Sequence, residues 1–178
     1  LSNDSDPDGG TLHIIDANAL NGLATVNAGS IIEYQANANY SGPDTINYTI
    51  ENNANRIATA TVSVTVTPIN DAPDAFADNI TLDEDTSTNI NVLANDTDVD
   101  GDTLSLTTFS AEQGSVVRDE DNTLRYSPNT NYHGPDTIAY TIEDGNGGVA
   151  SSHVNVTVTP TNDTPIAEQG LTYSTEVN

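Results

Sequence analysis

The residues best suited to chemistry are acidic and come in runs. The run Asn95-Asp96-Thr97-Asp98-Val99-Asp100-Gly101-Asp102 places aspartates at alternate positions around a glycine, and Asp4, Asp6, Asp8 and Gly9 repeat that spacing. Alternate aspartates before a glycine let a tight loop turn several carboxylates toward one point. Calcium takes six to eight oxygen ligands at about 2.3–2.6 Å, and carboxylates gathered this closely repel one another without a cation. An EF-hand would place a glutamate at the twelfth loop position. Counting from Asp96 that residue is Thr107, and from Asp4 it is Ile15, so the EF-hand is rejected. Oxygen donors alone also disfavour zinc and copper. Further acidic or amide residues stand in Asn70-Asp71, Asp83-Glu84-Asp85, Asp144-Gly145 and Asn162-Asp163. Asp, Asn and Gly also favour turns for reasons of their own backbone, so what carries weight is the recurrence of the whole set in register. Asp102 reads as auxiliary because its counterpart is Gly10, and Asp44 and Asp136 read as caps at the start of a strand.

That recurrence is a duplication. Gly42-Pro43-Asp44-Thr45-Ile46 returns as Gly134-Pro135-Asp136-Thr137-Ile138, a shift of 92 residues. Tyr34, Tyr40 and Tyr48 match Tyr126, Tyr132 and Tyr140 at the same shift, and Asn70-Asp71-Ala72-Pro73 matches Asn162-Asp163-Thr164-Pro165. The expected division is residues 1–72, a repeat lacking its first strands; 73–164, a complete repeat; and 165–178, the opening strand of a further one.

Within the complete repeat, alternation and turn residues predict seven strands. They fall near Asn79–Leu82, Thr88–Leu93, Thr103–Phe109, Ser115–Arg118, Thr123–Ser127, Thr137–Glu143 and Val149–Thr159. Ile138, Tyr140 and Ile142 share one face of the sixth, and Val154, Val156 and Val158 share one face of the seventh. The loops are too short for crossover helices. The predicted fold is all-β: tandem immunoglobulin-like, seven-stranded antiparallel sandwiches. In that topology Asn70, Asp71, Asp96, Asp98, Asp100 and Asp144 meet at one end of the repeat, and Glu84 lies at the other, near Asn162 and Asp163.

The charge balance agrees. Asp and Glu number 27 against 3 arginines and no lysine, for a net charge of -24. Such a chain repels itself unless cations offset it. Nucleic acid and anionic membrane, which both require positive charge, are excluded as partners. There is no cysteine, hence no disulfide or thiolate site. There is no apolar run long enough for direct membrane insertion. His13, His133 and His153 fall at unrelated positions and complete no Ser-His-Asp set. No nucleophile stands out, and the expectation is that the chain is not an enzyme.

These motifs resemble cadherin repeats, specifically the bacterial cadherin-like tandem repeats of giant surface proteins and adhesins. Ala94-Asn95-Asp96-Thr97-Asp98 with Gly101 is similar to the cadherin Asp-x-Asp loop, Glu143-Asp144-Gly145 to the Asp-Gly after its sixth strand, and the two Asn-Asp-x-Pro segments to its linker. Glu84 is placed like the acidic residue after its first strand. The resemblance implies Ca2+ held by linker and loop oxygens between successive repeats, stiffening a rod. It implies an extracellular or cell-surface location, with neighbouring repeats of the same or identical chains as partners, and a cell-surface or polysaccharide ligand as a further one. Two other readings stay open. One is a carbohydrate-binding module, which the lack of tryptophan disfavours. The other is a filament subunit whose segment Ile166–Val177 completes the first repeat of another chain. The first repeat departs from the pattern at Asn52, where the second has Asp144, and at Arg56, where the second has Gly148.

Overall fold

A computed structural model describes residues 1–28, 30–165 and 170. The chain divides into two compact units, Leu1–Asp71 and Ala72–Asn178.

The second unit carries seven strands: β6 (Asp78–Asp83), β7 (Thr88–Ile90), β8 (Ser105–Ala111), β9 (Gly114–Arg118), β10 (Leu124–Pro128), β11 (Gly134–Glu143) and β12 (Val149–Thr159). They form two sheets, ordered β6-β12-β11-β8 and β7-β10-β9. A single 3-10 turn, Val92–Ala94, leads from β7 toward the aspartate loop, ending the second predicted strand early. The predicted alternation sets the inner faces. Along β11, Ile138, Tyr140 and Ile142 are buried, as are Val154, Val156 and Val158 of β12 and Leu124 and Tyr126 of β10. Each such side chain contributes about 1.5–3 kcal/mol through burial.

One pairing departs from the antiparallel expectation: β6 runs parallel to β12, from Val154 opposite Asp78 to Thr159 opposite Asp83. β6 begins at the end of the unit where the chain enters, and β12 ends where it leaves, so both run the same way.

The first unit repeats the later part of this plan. Its strands are β1 (Leu12–Asn18), β2 (Gly22–Asn27), β3 (Ile31–Ala36), β4 (Gly42–Asn52) and β5 (Ile57–Val66). They pair as β1-β4-β5 and β2-β3, matching β8 to β12 at the 92-residue shift. Even an irregularity recurs. The β1–β4 register skips Ile15, and the β11–β8 register skips Thr107, the same repeat position. Among the described residues, β5 has no strand in the place that β6 takes beside β12. The inner face shows the difference: Val62 is 43% exposed, whereas its counterpart Val154 is 0% exposed. Ile14, Tyr48 and Ile50 form the smaller core of this unit. The segment 165–178 expected to open a further repeat, including Ile166–Val177, lies outside the described residues apart from Pro165 and Gly170.

Candidate metal centre

In the second unit the loop between β7 and β8 folds around Asp98. Its Oδ1 accepts the backbone N–H of Asp100 at 2.8 Å and of Asp102 at 3.2 Å. Gly101, at φ +79°, takes the left-handed turn that brings the chain back far enough for the second bond. One carboxylate oxygen from each of Asp98, Asp100 and Asp102 lies within 4.8 Å of the others. Asp98 Oδ2 is buried, and no hydrogen-bond donor reaches it among the described residues. A buried acceptor left in this way costs about 1–3 kcal/mol, and a cation would satisfy it. The donor set is entirely hard oxygen, which fits calcium or a similar divalent ion.

The turn between β11 and β12 closes the same end. Asp144 Oδ1 accepts from Asn146 N at 2.7 Å and Gly148 N at 3.0 Å. Asn146 Nδ2 donates to Asp102 Oδ2 at 2.8 Å, tying this turn to the aspartate loop. Gly148 is required by packing, since a Cβ there would come within 2.8 Å of Ala72 Cα.

Asp96 does a different job from the three clustered aspartates. It is 9% exposed and its Oδ1 accepts the Phe76 N–H at 2.7 Å. The Tyr140 hydroxyl lies 3.3 Å from Asp96 Oδ1 and 2.8 Å from the Phe76 carbonyl. Asp96 thereby pins the aspartate loop to the segment leading into β6, assisted by a bridge between Asp74 and Thr97. Burial raises the Asp96 carboxyl above the ordinary carboxylate range, against the lowering effect of its two donors. Asp78, at the start of β6, is raised too, first by burial and then by the charge of Asp96. Its Oδ2 also lacks a donor among the described residues.

At the opposite end of this unit Glu84 is 4% exposed. Its Oε1 accepts from Thr161 N at 2.7 Å, and its Oε2 lies 3.6 Å from His133 Nδ1. Asp85 Oδ1 accepts from Asn131 N at 2.9 Å. With its amide nitrogen turned toward the carboxylates, Asn131 also reaches Asp163 Oδ2 at 3.2 Å. Asn162 is exposed beside this group.

In the first unit Asp4 accepts from the Tyr48 hydroxyl at 3.1 Å, as Asp96 does from Tyr140. Asp6 Oδ1 accepts from Asp8 N at 3.0 Å, the counterpart of the bond from Asp100 to Asp98. Asn70 Nδ2 donates to the Asp71 carbonyl at 3.1 Å, at the end of this unit.

Asp44 and Asp136 are each the third residue of their strand, β4 and β11, so they sit just inside the strand entry and do not cap it from outside. Asp136 Oδ1 accepts from Thr137 N at 2.8 Å, and Asp44 Oδ1 from Thr45 N at 2.7 Å. Two features escaped the sequence reading. Asp102 belongs to the converging trio, although its mismatch with Gly10 argued for a lesser role. Asn146 links the two loops, and its one sequence signal is its place directly after Asp144-Gly145.

A family model for the bacterial Ig domain matches residues 1–65 and 70–157, and the chain belongs to that family. The solved structure of human mucin-like protocadherin EC1-2 aligns over 87% of this chain and 86% of its own, at TM-score 0.55 and 17% identity. Mouse cadherin-23 EC22-24 aligns over 84% of this chain and 52% of its own, at TM-score 0.52 and 18% identity. These likenesses are of fold: a cadherin-like, Ig-like β-sandwich. Protein GAMETE EXPRESSED 2 of Arabidopsis thaliana is 41% identical over 87 residues, 48% of this chain and 9% of that protein's length.

Proposed function

We propose that this chain is a calcium-binding structural repeat module of a large extracellular surface protein or adhesin, with calcium stiffening the junctions between repeats. The observation that carries this reading is the convergence of Asp98, Asp100 and Asp102 beside a buried Asp98 oxygen that no donor reaches among the described residues. In this reading Asp98, Asp100 and Asp102 hold the ion, while Asp96 and Asp144 shape the loops around it. The linker residues Asn70 and Asp71, next in sequence before the second unit, supply further oxygens. Glu84, Asp163 and Asn162 form the corresponding set for the next junction. The partners are neighbouring repeats of the same or identical chains, at the cell surface. The role is binding and support without catalysis: Asp98 Oδ1 is taken up by the N–H groups of Asp100 and Asp102, Asp102 Oδ2 by the Asn146 side chain, and no nucleophile accompanies them among the described residues.

The test is a thermal melt in millimolar calcium and in chelator. Calcium at about a hundredfold its Kd would add roughly 2.7 kcal/mol per site. Identical melts under the two conditions would end the reading.

A further inference from the structure

The two repeats differ at the same end, and the differences act together. Where the second has Asp144, Asp102 and Gly148, the first has Asn52, Gly10 and Arg56. Each exchange makes the first repeat one charge more positive at that position.

The geometry shows what the amide does. Asn52 Oδ1 accepts from Ala54 N at 3.0 Å and Arg56 N at 2.9 Å, so its orientation is fixed by two N–H donors. Nδ2 must then face the other way, and it donates to Asp6 Oδ2 at 2.7 Å. Asp6 is the counterpart of Asp98, whose own Oδ2 is buried with no donor in reach among the described residues. Gly10 lies directly against this pair. A Cβ at that position would meet Asp6 Oδ2 at 2.5 Å, so a side chain like that of Asp102 could enter here only by displacing the Asp6 carboxylate from its place against Asn52.

We propose that the Asn52 amide takes the place of a cation in the first unit, so that its loop closes without calcium while the loop around Asp98 requires it. This rests on the calcium reading of the second unit. Two observations converge on it: a donor on the carboxylate that would otherwise ligate, and a glycine in place of a third carboxylate. The repeats then divide the work, one loop preassembled and the other loaded by the ion.

The experiment is a calcium titration of the whole 178-residue chain followed by amide NMR. Signals from 98–102 and 144–148 are expected to move, while those from 4–10, 52–56 and the Asn52 side-chain amide hold still. Movement of both loops at the same calcium concentration would overturn the proposal. In chelator, Asn52→Asp is expected to lower the melting transition of the first unit by about 4–8 °C, since it sets two carboxylates against each other. The double variant Asp6→Asn with Asn52→Asp restores the amide–carboxylate pair with the partners exchanged, and should recover the lost stability. An unaltered melt for Asn52→Asp, or a double variant no better than the single, would show that the amide does not hold the loop. If calcium moves neither loop, the calcium reading fails on that result alone, and the melts in chelator still decide whether Asn52 locks Asp6.

Discussion

The Tyr126 hydroxyl donates to Asp136 Oδ2 at 2.7 Å, and 92 residues earlier the Tyr34 hydroxyl donates to Asp44 Oδ2 at 2.8 Å. Each pair ties one sheet to the start of an inner strand of the other: Tyr126 on the central strand β10 to β11, and Tyr34 on β3 of the two-stranded sheet to β4. Asp136 is buried at 7% exposure and also accepts from Gln113 N at 3.1 Å. Tyr126→Phe therefore removes a donor from a buried carboxylate and is expected to cost about 1–3 kcal/mol, read as a lower midpoint in urea denaturation. A Tyr126→Phe protein as stable as the parent would show that the remaining amide donors suffice.

The same pairs predict an alkaline limit. Burial, then the bond to Asp44, pushes the Tyr34 hydroxyl from 10.0 up to about 12. Tyr126 is raised as well, by burial first and by Asp136 second. A folded pKa above the unfolded one gives stability that is complete below pH 10 and is lost as pH rises through the folded value. Phenolate absorbance should appear late for these two tyrosines, together with loss of strand circular dichroism. Ionisation at the ordinary value with the fold intact would contradict it.

Asp78 gives a prediction of opposite use at low pH. Its carboxyl is raised above 3.8 by burial and by Asp96. In the window between 3.8 and the raised value, the folded state binds more protons than the unfolded state. Stability from this residue is therefore complete at acid pH and lost as pH rises through the folded value. Asp78→Asn should raise neutral-pH stability in chelator by on the order of 1 kcal/mol, the cost of a buried acceptor without a donor. The gain should vanish toward acid pH. A variant less stable than the parent at neutral pH would mean that the Asp78 charge is needed where it stands.

Gly114 lies against the ring of Tyr126. A Cβ there would come within 2.6 Å of both the ring and the Ser127 carbonyl. Gly22 stands in the same relation to Tyr34 and Gln35. Gly114→Ala is expected to cost about 1–3 kcal/mol by overpacking, measurable by thermal melt. Exposed Ala54→Gly, in a surface turn, serves as the control and should change little.

Calcium dependence should map to named carboxylates. Asp98→Ala is expected to abolish most of the calcium-induced rise in Tm, whereas Asp6→Ala should destabilise in calcium and chelator alike. Equal calcium responses in the two variants would contradict the division drawn between the loops.

Much of this was legible in the residues. The strands of the complete repeat follow from alternation, because one buried face imposes a period of two on β11 and β12. The 92-residue duplication by itself puts the two aspartate loops in register. What the sequence could not convey was direction within a loop. Asp96 and Asp98 look equivalent as letters, yet Asp96 turns inward to Phe76 and Tyr140 while Asp98 turns to Asp100 and Asp102. Only the folded loop reveals that, with Gly101 at φ +79° bringing Asp102 back to Asp98. The parallel pairing of β6 was equally hidden, since alternation is the same for either direction. Asn52 was visible as a departure from the pattern, but its bond to Asp6 depends on side-chain orientation.

The parallel alignment of β6 with β12 has a mechanical meaning. Tension drawn through the two ends of the second unit pulls β6 from its Asp78 end and β12 from its Thr159 end. The strands are then dragged lengthwise past one another, and the ladder from Val154–Asp78 to Thr159–Asp83 is loaded in shear. Evenly spaced bonds in a parallel ladder share such a load simultaneously, whereas a hairpin peeled from one end yields bond by bond. Thr159 adds a side-chain rivet at the loaded end, its hydroxyl donating to Asp83 Oδ1 at 2.6 Å. A unit built this way resists stretching along its length more than its marginal folding energy alone would indicate.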